Sequence, residues 1–382
     1  MDKESNNLHE NKFQRVHVKE ELSEELARPQ LSFWKDAWIR LLKNKGAITG
    51  LILIVVILLL AFIGPFLNSY GMNDENYDAA YLPPKVKGLE WLGFDGISTI
   101  EVQGTSVDDA ITRGLEGYEI DKEFVLDSTV IEEPNGDDIE YFKVSLDVDM
   151  YAANGLEDQY FWFGTDNMGR DLWTRIWEGT RISLYIGVLA AMIDMVVGVL
   201  YGGISGYYGG RTDNVMQRII EVLSGIPNLV VVILMIMILK PGLLAITIAL
   251  TITGWIGMAR IVRGQVLKLK NQEFVLAART LGANDKRILM KHLIPNVMSV
   301  IVINTMFTIP SAIFFESFLS FIGLGLQPPH ASLGSLIDTA FDDYRVYPYM
   351  LLFPAVIISL LMIGFNILAD GLRDALDPKM RR

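Results

Sequence analysis

The sequence predicts an all-α polytopic membrane protein with six transmembrane helices and one small α+β insertion between the first two. Three observations predict it. Hydrophobic residues make up 51% of the 382 and gather in unbroken runs, near the ~20 residues that cross a bilayer as a helix. Those runs lack the alternation of a barrel strand, and lipid leaves only helices or closed barrels as spanning structures. Charge is also segregated: residues 68–160 hold 22 acids and five bases, while the whole chain carries −12. The remainder is therefore net basic, and the acidic total describes one segment only.

Residues 1–31 are polar, mixed in charge and poor in aromatics, which predicts a disordered cytoplasmic tail. Within 32–46, Phe33, Trp34, Ala37, Trp38, Leu41 and Leu42 fall on one helical face, ringed by Lys35, Arg40, Lys43 and Lys45. Trp and basic side chains beside a span suit an amphipathic helix in the membrane interface; the alternative is a simple juxtamembrane stop. The first span is 47–66. Four bases against one acid in 35–45 place its start in the cytoplasm.

The acidic insertion, 67–160, then lies outside. Ser106 and Asp109 form a capping pattern before an apolar face of Val107, Ala110, Ile111 and Leu115, predicting a short helix. Phe142, Val144, Leu146 and Val148 alternate as a strand does, and Pro134-Asn135-Gly136 suits a hairpin turn after "EFVLDSTVIE". Its acids read as solvating surface rather than a cation site, since no calcium-loop spacing occurs.

The core, 161–382, carries five further spans at about 182–204, 215–239, 243–262, 297–322 and 348–368. Six spans put both termini in the cytoplasm. The segment 263–296, with seven bases against Glu273 and Asp285, and the tail with Arg373, Lys379, Arg381 and Arg382, both fall on that side. Gly198, Gly202, Gly206 and Gly210 recur every four residues, a row that lets another helix approach closely. Asp194, Glu221 and Glu316 interrupt the spans. They read as interhelical hydrogen bonding or helix-end placement, with a proton relay as the alternative. Pro227, Pro310 and Pro354 mark positions for kinks.

Enzyme chemistry finds no footing. There is no cysteine, the four histidines are scattered without metal spacing, and no Gly-Lys dipeptide exists to build a phosphate-binding loop. No catalytic residue and no metal site is expected, and neither is a nucleic-acid partner. Any ATP-driven step needs a separate chain.

The segment 273–296 carries the sharpest signal. Phe274, Ala277, Ala278 and Leu281 share one narrow apolar face; Gly282 breaks the helix; Asn284 or Asp285 caps a second helix, "KRILMKHL"; and Pro295 stops it before the next span. Small residues on an exposed face suit docking into a protein cleft better than adsorption to lipid.

"AARTLGANDKRILMKHLIPN" resembles the cytoplasmic EAA loop of bacterial ABC-importer permeases. Ala277, Ala278, Gly282 and Pro295 match, while Leu276 stands where the family places Glu and Glu273 lies one turn earlier. "FGTDNMGRDLWTRIWEGTRISL", "ESFLSFIGLGLQPPHASLG" and "NILADGLRDALDPK" are similar to stretches of the C-type subunit of oligopeptide and dipeptide permeases. The likeness covers 32–66 and 161–382 and implies the type I ABC importer fold in a bacterial cell membrane. Glu273, Phe274, Ala277, Ala278, Leu281, Gly282, His292, Pro295 and Asn296 would dock the ATPase. Gly164, Thr165, Asp166, Gly169, Arg170 and Asp171 form the family motif before span two, and Asp194 and Glu316 are the intramembrane polar residues. The implied partners are a homologous second permease, two ABC ATPases holding ATP and Mg, an extracytoplasmic peptide-binding protein and membrane lipid. The implied cargo is a peptide, with nickel or another small solute as the alternative. The chain itself binds no cofactor.

Overall fold

The structure is a computed structural model that describes residues 32–118, 120–134, 141–327 and 329–377. The tail 1–31, the turn residues Asn135 and Gly136, and Lys379, Arg381 and Arg382 lie outside the described residues.

Helix α1, Phe33–Lys43, is amphipathic, and Asp36 pairs with Arg40 one turn on. Its apolar face divides: Ala37 and Leu41 are buried in the bundle, whereas Trp34, Trp38 and Leu42 stay half exposed. Asn44 ends α1 and caps α2, Lys45–Ile63, by accepting from Ala47 N at 3.2 Å.

The insertion holds a three-stranded antiparallel sheet of order β1-β3-β2, built from Ile97–Gly104 (β1), Val125–Glu132 (β2) and Phe142–Asp149 (β3). Val144, Leu146 and Val148 face a core with Ile100 and Val102 of β1 and with Ala110, Ile111 and Leu115 of α3, Val107–Tyr118. Ser106 Oγ accepts from Asp109 N at 3.1 Å, while the Asp109 carboxylate accepts from Thr105 N at 2.9 Å. The cap is thus displaced one residue upstream of a reciprocal box. β1 had no reading of its own in the sequence, although Ile100 and Val102 alternate with polar neighbours. Ala79, Leu82, Tyr151 and Phe161 form a second, smaller cluster in the same region.

The bundle centres on α4, Leu172–Tyr208, which packs against α2, α7 (Leu243–Leu269), α9 (Ile294–Leu319), α10 (Leu333–Phe341) and α11 (Pro348–Leu376). At 37 residues α4 is about 55 Å long, well beyond the hydrocarbon thickness. The run 182–204 is only its apolar middle; Arg175, Glu178 and Arg181 lower the hydropathy of turns that are nonetheless helical.

The expected third span, 215–239, is two helices: α5, Gly210–Ser224, and α6, Asn228–Leu239, bent 79° apart. Pro227 has no N–H to give, and the residue before a proline is driven out of the α region, so the helix breaks there. Pro310 and Pro354 instead lie inside α9 and α11. Among the described residues, five helices are long and apolar enough to cross a membrane, and up to six if the bent pair is one span.

The glycine row does close packing. A Cβ at Gly198 would lie 2.8 Å from Trp255 O, one at Gly202 would collide with Ala259, and one at Gly206 would lie 2.8 Å from Arg263 O. Three turns of α4 therefore rest on the backbone of α7. Gly210 leaves the row: it sits at φ +54° and faces open space.

Candidate functional site: an exposed helix, its mount and a polar cavity

Beyond α7 the chain makes a short helix, α8, Glu273–Thr280. Val275 is fully buried and holds α8 to the bundle, whereas Phe274, Leu276, Ala277 and Leu281 face outward, Leu281 being 88% exposed. Ala278 is half-buried. Of the face the spacing predicted, Phe274, Ala277 and Leu281 point outward while Ala278 turns partly in, and Leu276 joins the exposed set; the inward anchor, Val275, was not singled out. Gly282 takes φ +82° with open space where a Cβ would stand, so a left-handed turn and not crowding requires glycine there. Asn284, and not Asp285, provides the next cap, accepting from Arg287 N at 2.9 Å.

Pro295 does not stop the following helix. Residues 285–324 run on as one helical stretch into the span. A π turn, Ile288–Leu293, precedes Pro295, and Ile294 N reaches back five residues to Leu289 O. The ladder is shifted where a proline removes a donor, and Pro295 occupies the second position of α9, where no donor is needed. Asn296 Nδ2 donates to His292 O at 2.6 Å, and His292 is half-buried on this stretch.

Charged and phenolic groups fix this end of the bundle. Tyr207 at the end of α4 donates from its hydroxyl to Asp285 Oδ1 at 2.6 Å and accepts from Arg279 at 3.3 Å. Lys270 Nζ donates to Gly206 O at 2.9 Å. Arg263 holds Asp213 through two 2.6 Å bonds, and Ser205 adds a third donor. Such bidentate pairs are directional, so they set the position of α5 as well as attracting it. Sequence gave no hint that Tyr207 meets Asp285, because the contact joins residues 78 apart.

At the opposite end of α4, the Gly-Thr-Asp stretch forms a buried knot. Gly164 and Gly169 take φ +76° and +69°. Thr165 Oγ1 accepts from Leu82 N at 2.8 Å and donates to Ala79 O at 2.5 Å. Asp166 accepts from Met168 N, Arg170 N and Arg170 Nε at 2.9, 3.0 and 2.7 Å, with Arg175 Nε at 3.4 Å. Asp171 caps α4 through Thr174 N at 2.8 Å and takes further bonds from Thr174 Oγ1 and Asn68. Burial pushes its carboxyl above the usual range against those donors. The motif thus seats the beginning of α4.

Glu316 is fully buried and accepts from Ser183 and Ser320 hydroxyls at 2.9 and 2.8 Å. It ties α9 to α4, as the interhelical reading supposed. Glu221 is exposed and paired with Arg218. Asp194 is different. It is 6% exposed, its Oδ1 has no hydrogen-bond partner among the described residues, and it borders a cavity of about 430 Å³ between α4, α6, α7 and α9.

Two family models match the chain: the binding-protein-dependent transport system inner membrane component over residues 198–382, and the N-terminal transmembrane domain of oligopeptide transport permease C over 32–84. The dipeptide transport system permease protein DppC of Bacillus subtilis is 42% identical over 361 residues, 94% of this chain and 90% of that protein. The oligopeptide permease OppC of the same organism is 39% identical over 98% of this chain and 99% of its own length. This chain belongs to that permease family. Among solved structures, the inward-facing MetNI methionine ABC transporter is similar over 53% of this chain and 96% of its own, at TM-score 0.45 and 19% identity. A permease of this family is a multi-pass membrane transport subunit, and α8 corresponds to the segment in which the sequence resembles the EAA loop.

Proposed function

We propose that this chain forms half of the translocation pathway of an ATP-driven peptide importer and receives the ATPase stroke through α8. The bent pair α5–α6 counts as the third of six spans, both termini lie in the cytoplasm, and the insertion lies outside. A homologous permease completes the pathway. Two ATPase subunits bind ATP and Mg below, a peptide-binding protein delivers cargo above, and the insertion contacts that delivery protein or the sister permease. Peptide cargo is supported by the names of the relatives matched over nearly the whole chain.

The observation that carries the docking role is the mount of α8. Phe274, Leu276, Ala277 and Leu281 are apolar and exposed, yet Val275, Tyr207–Asp285 and Lys270 hold the helix firmly from behind. A solvated loop has no need of such an anchor, and a handle that transmits force does. Gly282→Trp would strain the left-handed turn itself, so Ala277→Trp and Leu281→Asp make cleaner probes. Both side chains point away from the bundle, and the variants should fold normally while losing ATPase association and uptake. Normal co-purification of the ATPases with both variants would refute the docking role.

A further inference from the structure

The cavity beside Asp194 has a polar lining without a cation among the described residues. Thr308 and Ser311 donate their hydroxyl protons to backbone carbonyls one turn back, Asn304 O and Phe307 O, at 3.0 and 2.9 Å. Thr253 spends its proton on Asn228 Oδ1 at 3.0 Å, and the Asn304 amide donates to Val300 O at 2.7 Å. The three hydroxyls are thus left with oxygen lone pairs to offer the cavity, while the Asn228 amide keeps its N–H donors and the Asn304 amide keeps one; none of these groups carries positive charge. No Lys, Arg or His is among the described residues that line it. Asp194 adds a carboxylate that is more than nine-tenths buried and has one oxygen unpartnered. Its neighbour across the helix interface is Gly254, where any Cβ would collide with the carboxylate; one turn on, Gly257 opens to free space.

An unpaired carboxylate at this depth is costly, and the lining supplies no cation of its own. The missing complement is a compact donor with positive charge. Resting on the peptide-import reading above, we infer that Asp194 and the surrounding oxygens form a transient subsite for a primary ammonium group, the N-terminus of the passing peptide. That terminus is common to free peptides whatever their side chains, so a pathway that holds it stays indifferent to sequence. The alternatives, a proton relay and a neutral packing carboxyl, predict different results below.

The absence of cysteine makes a direct test available. In the complete transporter, Gly257→Cys places a thiol on the open side of the cavity. It is treated with aminoethyl and with sulfonatoethyl methanethiosulfonate, and labelling of this chain is followed by mass spectrometry. A negative subsite should favour the ammonium reagent by at least about fivefold after correction for intrinsic reactivity, and adding Asp194→Asn should bring the ratio near one. In a second arm, ATP-driven uptake of a free-amine peptide should fall about tenfold with Asp194→Asn and recover with Asp194→Glu. A reagent ratio near one in the Asp194 protein overturns the proposal. So does unchanged uptake with Asp194→Asn, or uptake lost equally in the Asn and Glu variants. Uptake abolished by a proton uncoupler at constant ATP would assign Asp194 to a relay instead. If the unaltered transporter imports no peptide at all, the functional reading fails, and the reagent ratio still decides whether Asp194 attracts an ammonium group.

Discussion

Replacing Asp166 tests whether the Gly-Thr-Asp stretch is a seat for α4. Asp166, Arg170 and Arg175 have side chains only 2%, 7% and 6% exposed, so one buried carboxylate faces two buried guanidinium groups. Asp166→Ala leaves both cations without their counter-charge, a change that costs about 3–5 kcal/mol when a buried pair is broken from one side. Arg175 keeps a bond to Met72 O at 3.2 Å, which places the expected loss near the lower figure of ~3 kcal/mol. Asp166→Asn is nearly the same shape but gains little. Its oxygen can face either the two backbone N–H donors or Arg170 Nε, and the amide donors must then face the other set. The Asn variant should therefore lie between wild type and Ala. The assay is thermal stability of the detergent-solubilised chain by fluorescence-detected size exclusion, with Asp166→Ala/Arg175→Met as a double variant. Removing one stranded cation should restore part of the loss. An Ala variant within ~1 kcal/mol of wild type, or a double variant that simply adds two losses, would refute the account of a charge-compensated knot.

Further outcomes follow from individual contacts. Gly202→Leu should destabilise the α4–α7 pair by about 1–3 kcal/mol, because even a Cβ meets the Ala259 backbone; Gly257→Ala, facing open space, should be nearly neutral in the same melting assay. Tyr207→Phe removes the hydroxyl between Asp285 and Arg279, so hydrogen exchange of residues 273–287 should quicken roughly three- to tenfold, the ~0.5–1.5 kcal/mol of one hydrogen bond. Unchanged exchange would show that Val275 and Lys270 hold α8 without the Tyr207 hydroxyl. Tyr81, stacked on Tyr347 and donating to Asp343, has its phenol pushed from 10.0 up to about 12, first by burial and then by Asp343. The neutral form is the one the fold favours. This contribution is complete below pH 10 and is lost as pH rises through about 12, so Tyr81→Phe should flatten the alkaline fall in melting temperature; a parallel fall in both proteins would exclude Tyr81 as its source.

The parts of the fold visible in sequence were those governed by local periodicity and composition. The apolar runs, the alternation of Val144, Leu146 and Val148, and the Gly198–Gly202–Gly206 row each report a buried face directly. What escaped was set by long-range partners. The first ten residues of α4 are helical because Asp166, Asp171 and the Ala61 carbonyl satisfy Arg170, Thr174 and Arg181, and hydropathy cannot see those partners. Pro295 misled for a related reason: the residue signals a stop, but a π turn upstream absorbs the missing bond. That correction changes what α9 can do. Because residues 285–319 are one continuous rod, α9 is tied to α4 near both ends, through Tyr207–Asp285 beside α8 and through Ser183–Glu316 far along the helix. The two serine and tyrosine contacts lie 24 residues apart on α4, about 36 Å at helical rise. Two rods pinned at two separated points resist sliding past each other, so a push on α8 should move α4 and α9 as one body. The cavity wall they share would then shift as a unit.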